Sequence, residues 1–135
     1  MSVQVFLEAD SRLTKSGVVS LLRKMGADVK EDDELTDPDD PEVRAWLPRS
    51  SMSMGGRVQR DSRIAAENPG DANFDVAYRC AFTMNSSEYE QCMADIDKFS
   101  EAIADELGAH FVVSWQLERT LLTNSSTGLR KFALD

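Results

Sequence analysis

Apolar residues recur along this chain with two distinct periods. Val3, Val5, Leu7 and Ala9 alternate with Gln4, Phe6 and Glu8, the period of two that sets one face of a strand against a core. Asp10-Ser11 ends that run. From Lys15 to Met25 the period changes: Val18, Leu21, Leu22 and Met25 stand at i, i+3, i+4 and i+7, which predicts a helix with one apolar face. Thr14 is placed to cap its start, and Gly26 stands where a left-handed residue closes a helix.

Both periods fade in the middle of the chain. Asp28 to Glu42 reads as a loop, or a ragged strand entry leading into one, with Pro38 and Pro41 against any regular element. Val43, Ala45 and Leu47 alternate with Arg44 and Trp46, so a strand is expected over 43–54, interrupted at Pro48. Gly55-Gly56 marks a turn. Arg57 to Ala72 reads as loop or a short helical turn, broken at Asn68-Pro69-Gly70-Asp71.

The period of two returns most strongly at Phe74, Val76, Tyr78, Cys80, Phe82 and Met84. Ser87-Glu88-Tyr89-Glu90 has the form of a capping box. The helix after it carries Tyr89, Cys92, Met93, Ile96, Phe99, Ile103 and Leu107 on one face and closes at Gly108. Phe111, Val113, Trp115 and Leu117 then alternate with Val112, Ser114 and Gln116 in a long strand that Glu118 to Leu122 extends. Thr123 to Gly128 reads as a turn, and Leu129 to Leu134 as an edge strand or a segment packing back.

This order predicts an α+β fold of ferredoxin-like β-α-β-β-α-β type, an antiparallel sheet with two helices on one face. A length of 135 residues is that of a single domain, 1–135, with an acidic loop at 28–42 and an Arg-rich irregular segment at 44–72.

Charge narrows the function classes. The net charge is −9, which argues against binding nucleic acid or an anionic membrane and favours a basic partner. No apolar run spans a bilayer, and Met-Ser-Val-Gln-Val-Phe shows no secretion signal, so the cytoplasm is the expected address. Nine acids against the one base Lys30 lie between Asp28 and Glu42. Arg44, Arg49, Arg57, Arg60 and Arg63 follow. They either fold back onto the acids in surface ion pairs or hold a small anion.

The search for chemistry ends without a motif. His110 has no metal-ligand companion and no positioned partner for general-base work. Cys80 and Cys92 fall on apolar faces and read as reduced core residues. Ser50 to Gly56 lacks a phosphate-loop pattern and reads as a hairpin tip. No catalytic residue, metal ligand or cofactor is assigned. A small enzyme on this scaffold would draw on Tyr78, Arg79 and His110.

Its size and acidity, with the stretch Glu31 to Asp40 and the closing strand Phe111 to Glu118, make the chain resemble immunity proteins of bacterial polymorphic toxin systems, including those served by type VI secretion or contact-dependent inhibition. The resemblance implies a cytoplasmic protein that neutralises a cognate toxin by filling its basic cleft with carboxylates. The expected contacts are Asp32, Asp33, Glu34, Asp37, Asp39 and Asp40, with Trp46 either an aromatic anchor or a core residue. The alternative function is a regulatory domain that binds a small anion and forms a homodimer through its sheet.

Overall fold

The computed structural model describes residues 2–31, 42–67, 69 and 72–132. Strand β1 (Ser2–Ala9) leads into helix α1 (Lys15–Lys24). Four strands follow: β2 (Asp28–Glu31), β3 (Glu42–Leu47), β4 (Met52–Val58) and β5 (Tyr78–Asn85). Helix α2 (Tyr89–Ala102) continues into a π-helical turn, Ile103–Leu107, and is followed by β6 (Phe111–Trp115), β7 (Arg119–Ser125) and β8 (Gly128–Lys131).

The strands form one eight-stranded sheet in the order β2-β3-β4-β5-β1-β6-β7-β8, every pairing antiparallel. The chain is thus mixed α and β with two helices, as expected, but its strand count and order exceed a simple ferredoxin-like sheet. Val18, Leu21 and Leu22 of α1 and Cys92, Ile96 and Phe99 of α2 share one hydrophobic cluster with Val5, Leu7, Tyr78, Cys80 and Phe82, so both helices cover the same sheet face. Phe82 and Phe99 meet edge to face at 5.6 Å between ring centroids. Among the described residues the opposite face carries no helix.

Local signals hold where side chains act on their own backbone. The Thr14 hydroxyl accepts from the Gly17 amide at the start of α1. Gly26 and Gly108 adopt left-handed φ of 81° and 63° just past their helices.

Several expectations are corrected. Of the two readings of Asp28–Glu42, the strand entry holds at its start, where Asp28 to Glu31 pairs with β3, and at its end Glu42 is strand rather than loop, the first residue of β3. The expected strand over 43–54 is two strands joined by a turn at 48–51, and Gly55-Gly56 lies inside β4. A Cβ on Gly56 would stand 2.6 Å from the Tyr78 hydroxyl oxygen, so glycine is required by the close approach of that ring. Regular structure in β5 starts at Tyr78 rather than Phe74. Glu88, not Ser87, is the cap residue of α2, and its side chain makes no cap hydrogen bond; a 3₁₀ turn, Ser86–Glu88, precedes the helix.

The long strand after His110 is a hairpin. Gln116 and Leu117 take left-handed φ of 51° and 65° and turn the chain from β6 into β7. A register shift at Val113/Ser114 then lets the adjacent Leu121 and Leu122 both enter the core. Thr123 to Ser125, expected as turn, completes β7.

Candidate functional site

The helix-free face is where the exposed chemistry lies. Residues paired across an antiparallel sheet share a face. Three cross-strand rows result. Trp46, Ser53, Thr83 and Gln4 form one, Arg44, Gly55, Ala81, Phe6 and Ser114 the next, and Glu42, Arg57, Arg79, Glu8 and Val112 the third. The two ends of this face differ.

Over β1 and β6 the face is covered. The irregular segment after β4 crosses it, anchored on Glu8, whose side chain is fully buried. The Ala65 amide donates to Glu8 Oε2 at 2.7 Å and the Ala66 amide to Oε1 at 3.0 Å. Arg79 Nη2 donates to Oε2 at 3.1 Å. A buried carboxylate is tolerated when it is paired and hydrogen-bonded in this way. Beyond it, the Glu67 amide donates to the Leu117 carbonyl at 2.7 Å. Val112 and Ser114, between these anchor points, are fully buried.

Over β3 and β4 no described segment covers the face. Trp46 is 46% exposed, and among the described residues only Phe132 is another large apolar side chain left so open. Trp46 stands opposite Asp28 on β2 and Ser53 on β4. The alternation of β3 explains its position: Val43, Ala45 and Leu47 are buried, so Arg44 and Trp46 must face outward. Of the two readings open for Trp46, the core one is thereby corrected.

Strands β2 and β3 are paired up to Glu31 and Val43, so the acidic segment joins the two strands of a hairpin at the sheet edge. Trp46 lies three residues from that end, about 10 Å along the strand. The expected contacts Asp32, Asp33, Glu34, Asp37, Asp39 and Asp40 lie outside the described residues. Glu42, the last acid of the run, faces two arginines: Arg44 Nε at 3.7 Å from Oε1 and Arg57 Nη2 at 3.5 Å from Oε2. Exposed pairs of this kind are worth about 0–1 kcal/mol each.

The Arg run does not converge. Arg44 and Arg57 share Glu42, whereas Arg63 forks onto Asp61, with Nη2 to Oδ2 at 2.9 Å. Hydrogen bonds from the Arg63 side chain and amide hold the Asp61 carboxyl down at about 2. An open cavity of about 610 Å³ lies elsewhere, its described walls being Lys15, Ser16, Val19, Ser20, Arg23 and Lys24 of α1.

Of the residues named for an enzyme, Tyr78 and Arg79 are held on opposite faces of the sheet. Tyr78 points into the core, and burial pushes its phenol well above the ordinary range. Arg79 faces the opposite side, on Glu8. The His110 amide donates to Asp10 Oδ2 at 3.1 Å, while the Asp10 amide donates to the His110 carbonyl. Cys80 and Cys92 are both buried, and burial raises the Cys80 thiol far from thiolate reactivity. Among the described residues no cluster of His, Cys, Asp or Glu could hold a metal ion, and no helix is long and apolar enough to cross a membrane.

Sequence reasoning missed the role of Glu8. Its alternation with Leu7 and Ala9 places it outward, and nothing local shows that a segment some 57 residues later would bury it. The chain matches no protein-family model and no curated protein sequence.

Proposed function

We propose that this chain is a binding protein of the immunity type, a cytoplasmic inhibitor that neutralises a cognate bacterial toxin domain of basic surface. The edge hairpin β2–β3 is its contact. Trp46 serves as the apolar anchor, and Asp32, Asp33, Glu34, Asp37, Asp39 and Asp40 supply the charge.

The observation that carries this reading is Trp46, 46% exposed on the hairpin that bears the acidic segment. Tryptophan is the residue type that most often dominates a protein–protein contact, and it does so by entering a desolvated pocket. Its β4 neighbours Ser53 and Gly55 are small, so a partner surface can approach the indole ring. Glu42 pairs with both Arg44 and Arg57, which reduces their repulsion toward a basic partner. The six carboxylates of 32–40, set against a net charge of −9, steer encounter with cations. On this reading no catalytic group or cofactor is needed.

The finer fold belongs to the same proposal. We read β6-β1-β5-β4, with α1 and α2, as a ferredoxin-like core. The β2–β3 hairpin is then an insertion between α1 and the core strand β4, and β7 and β8 are an extension past β6. Insertions on a packed scaffold are where binding sites concentrate.

The test begins with affinity capture of the tagged protein from its host, followed by calorimetry with the purified partner. A one-to-one complex with a toxin domain, loss of the toxin's activity and weakening by Trp46→Ala are expected. A toxin complex indifferent to both Trp46→Ala and neutralisation of the six acids would place the contact away from this hairpin. Self-association alone, with a thermal shift on adding small anions, would favour a ligand-binding domain.

A further inference from the structure

We infer that residues 62–67 are a latch that opens as a unit while the rest of the fold stays intact, with Glu8 as its catch. The inference does not depend on the identity of any partner.

Three observations carry it. First, the segment has no regular structure of its own, and among the described residues few bonds tie it down. The Ala65 and Ala66 amides reach Glu8, the Glu67 amide reaches the Leu117 carbonyl, and the Ser62 carbonyl accepts from the Val76 amide at 2.8 Å. Irregular connections this long inside a packed fold are uncommon and tend to be functional.

Second, these ties are mostly polar and water can replace them. Opening would hydrate the Glu8 carboxylate rather than strand it, and Arg79, 3.1 Å away in the closed arrangement, would remain beside it on the neighbouring strand. On the latch, among the described residues 62–67, only Ala66 is buried and Ile64 half-buried, so the apolar surface that resists opening is mainly that of these two side chains and of Val112 beneath them.

Third, the closed arrangement is imperfect. Arg79 Nε and Ser114 Oγ are buried beneath or beside the latch without a protein hydrogen-bond partner among the described residues. The Leu117 carbonyl that receives Glu67 belongs to a residue with φ of 65°, a conformation disfavoured for leucine. A closed state that leaves polar groups unpaired and rests on a strained turn lies close in free energy to an open one. Opening would uncover Val112, Ser114 and the inner side of Phe6, and would extend the bare sheet face that begins at Trp46.

Native-state hydrogen exchange on the whole protein tests this. The Ala65, Ala66 and Glu67 amides should exchange at least about 100-fold faster than those of Val5 and Leu7 at the centre of the sheet, and should respond weakly to low urea. Glu8→Gln, which replaces one acceptor oxygen by a donor, should speed exchange at 65 and 66 about tenfold or more and leave the sheet centre unchanged. The wild-type measurement stands even if that variant folds poorly. Exchange of the three latch amides at the rate and urea dependence of Leu7 would overturn the inference, since the segment would then open only in global unfolding.

Discussion

Replacing Trp46 by alanine separates binding from folding more sharply than any other single change. An exposed tryptophan side chain offers on the order of 250 Å², so 46% exposure leaves about 115 Å² for a partner to cover. At about 25 cal/mol per Å², covering it yields about 3 kcal/mol, which is about 100-fold in Kd. Trp46→Ala should therefore weaken the complex with the proposed partner by about that factor, with the loss in dissociation rate. Neutralising the six acids of 32–40 should act differently: association slows and its salt dependence flattens. The covered half of the ring also contributes to folding, so urea unfolding must accompany the binding assay. Trp46→Phe controls for this, because it keeps strand propensity and most of the covered area. It should lose about tenfold in affinity with less than about 1 kcal/mol of stability. Calorimetry and surface kinetics on the three variants read these values. An unchanged Kd in a folded Trp46→Ala protein would refute the anchor role, however large the exposed area.

Three further predictions follow from the packing and the charges. Gly56→Ala forces a Cβ to 2.6 Å from the Tyr78 hydroxyl and 2.9 Å from its ring, and should cost about 1–3 kcal/mol; Tyr78→Phe removes a buried hydroxyl that has no partner among the described residues, should be neutral or stabilising, and should recover part of that cost in the double mutant, whereas strict additivity in urea unfolding would contradict the contact. Gln116→Gly relieves the left-handed φ of 51° at an exposed position and should raise stability by up to about 1 kcal/mol after the extra unfolded-state entropy of glycine is subtracted; a lowered urea midpoint would show that the turn is not strained. Burial alone would raise the Asp10 carboxyl, but the Arg12 guanidinium and the amides of Arg12 and His110 outweigh it and hold it below its ordinary value of 3.8. Its contribution to stability is therefore complete above that value and is lost as pH falls through the depressed folded-state value. Asp10→Asn should lose it at neutral pH and flatten the acid limb of the stability profile, and an unchanged profile would count against the pairing.

Where the fold was legible, a local rule and the tertiary structure agreed. Thr14 and Gly26 bracket α1 because a cap and a left-handed glycine act within one turn of backbone. The period of two also carries the outward position of Trp46, opposite Val43, Ala45 and Leu47, although the sequence left a core position open for it. Strand β2 was hidden because an edge strand rich in charge has the composition of a loop, and such charge also guards the edge against unwanted pairing. Gly55-Gly56 imitates a turn because the reason for Gly56 is the ring of Tyr78, which pairing with β5 brings across. The β6–β7 turn was invisible because Gln116 and Leu117 occupy left-handed positions that usually call for glycine, asparagine or aspartate, while their polarity continues the strand alternation. Tertiary pairing imposes that turn against the local preference.

A wide antiparallel sheet with helices on one side has to settle its other face, by covering it or by making it polar. This chain uses both solutions, divided across the strands. Over β1 and β6, where Phe6 and Val112 stand, the segment latched on Glu8 supplies a cover. Over β4 and β5 the outward residues Ser53, Thr83 and Arg57 are polar, with Gly55 and Ala81 small between them, and the surface remains wet. Trp46 conforms to neither solution. An outward tryptophan beside Ser53 contributes little to the fold that a threonine or valine on the same strand would not supply, while it leaves on the order of 100 Å² of apolar ring in water. The β2–β3 hairpin that carries it also bears most of the chain's excess acid. An exposed tryptophan and a concentration of acid thus share one short hairpin at the sheet edge, and the proposed partner would account for both where two separate structural explanations are otherwise needed.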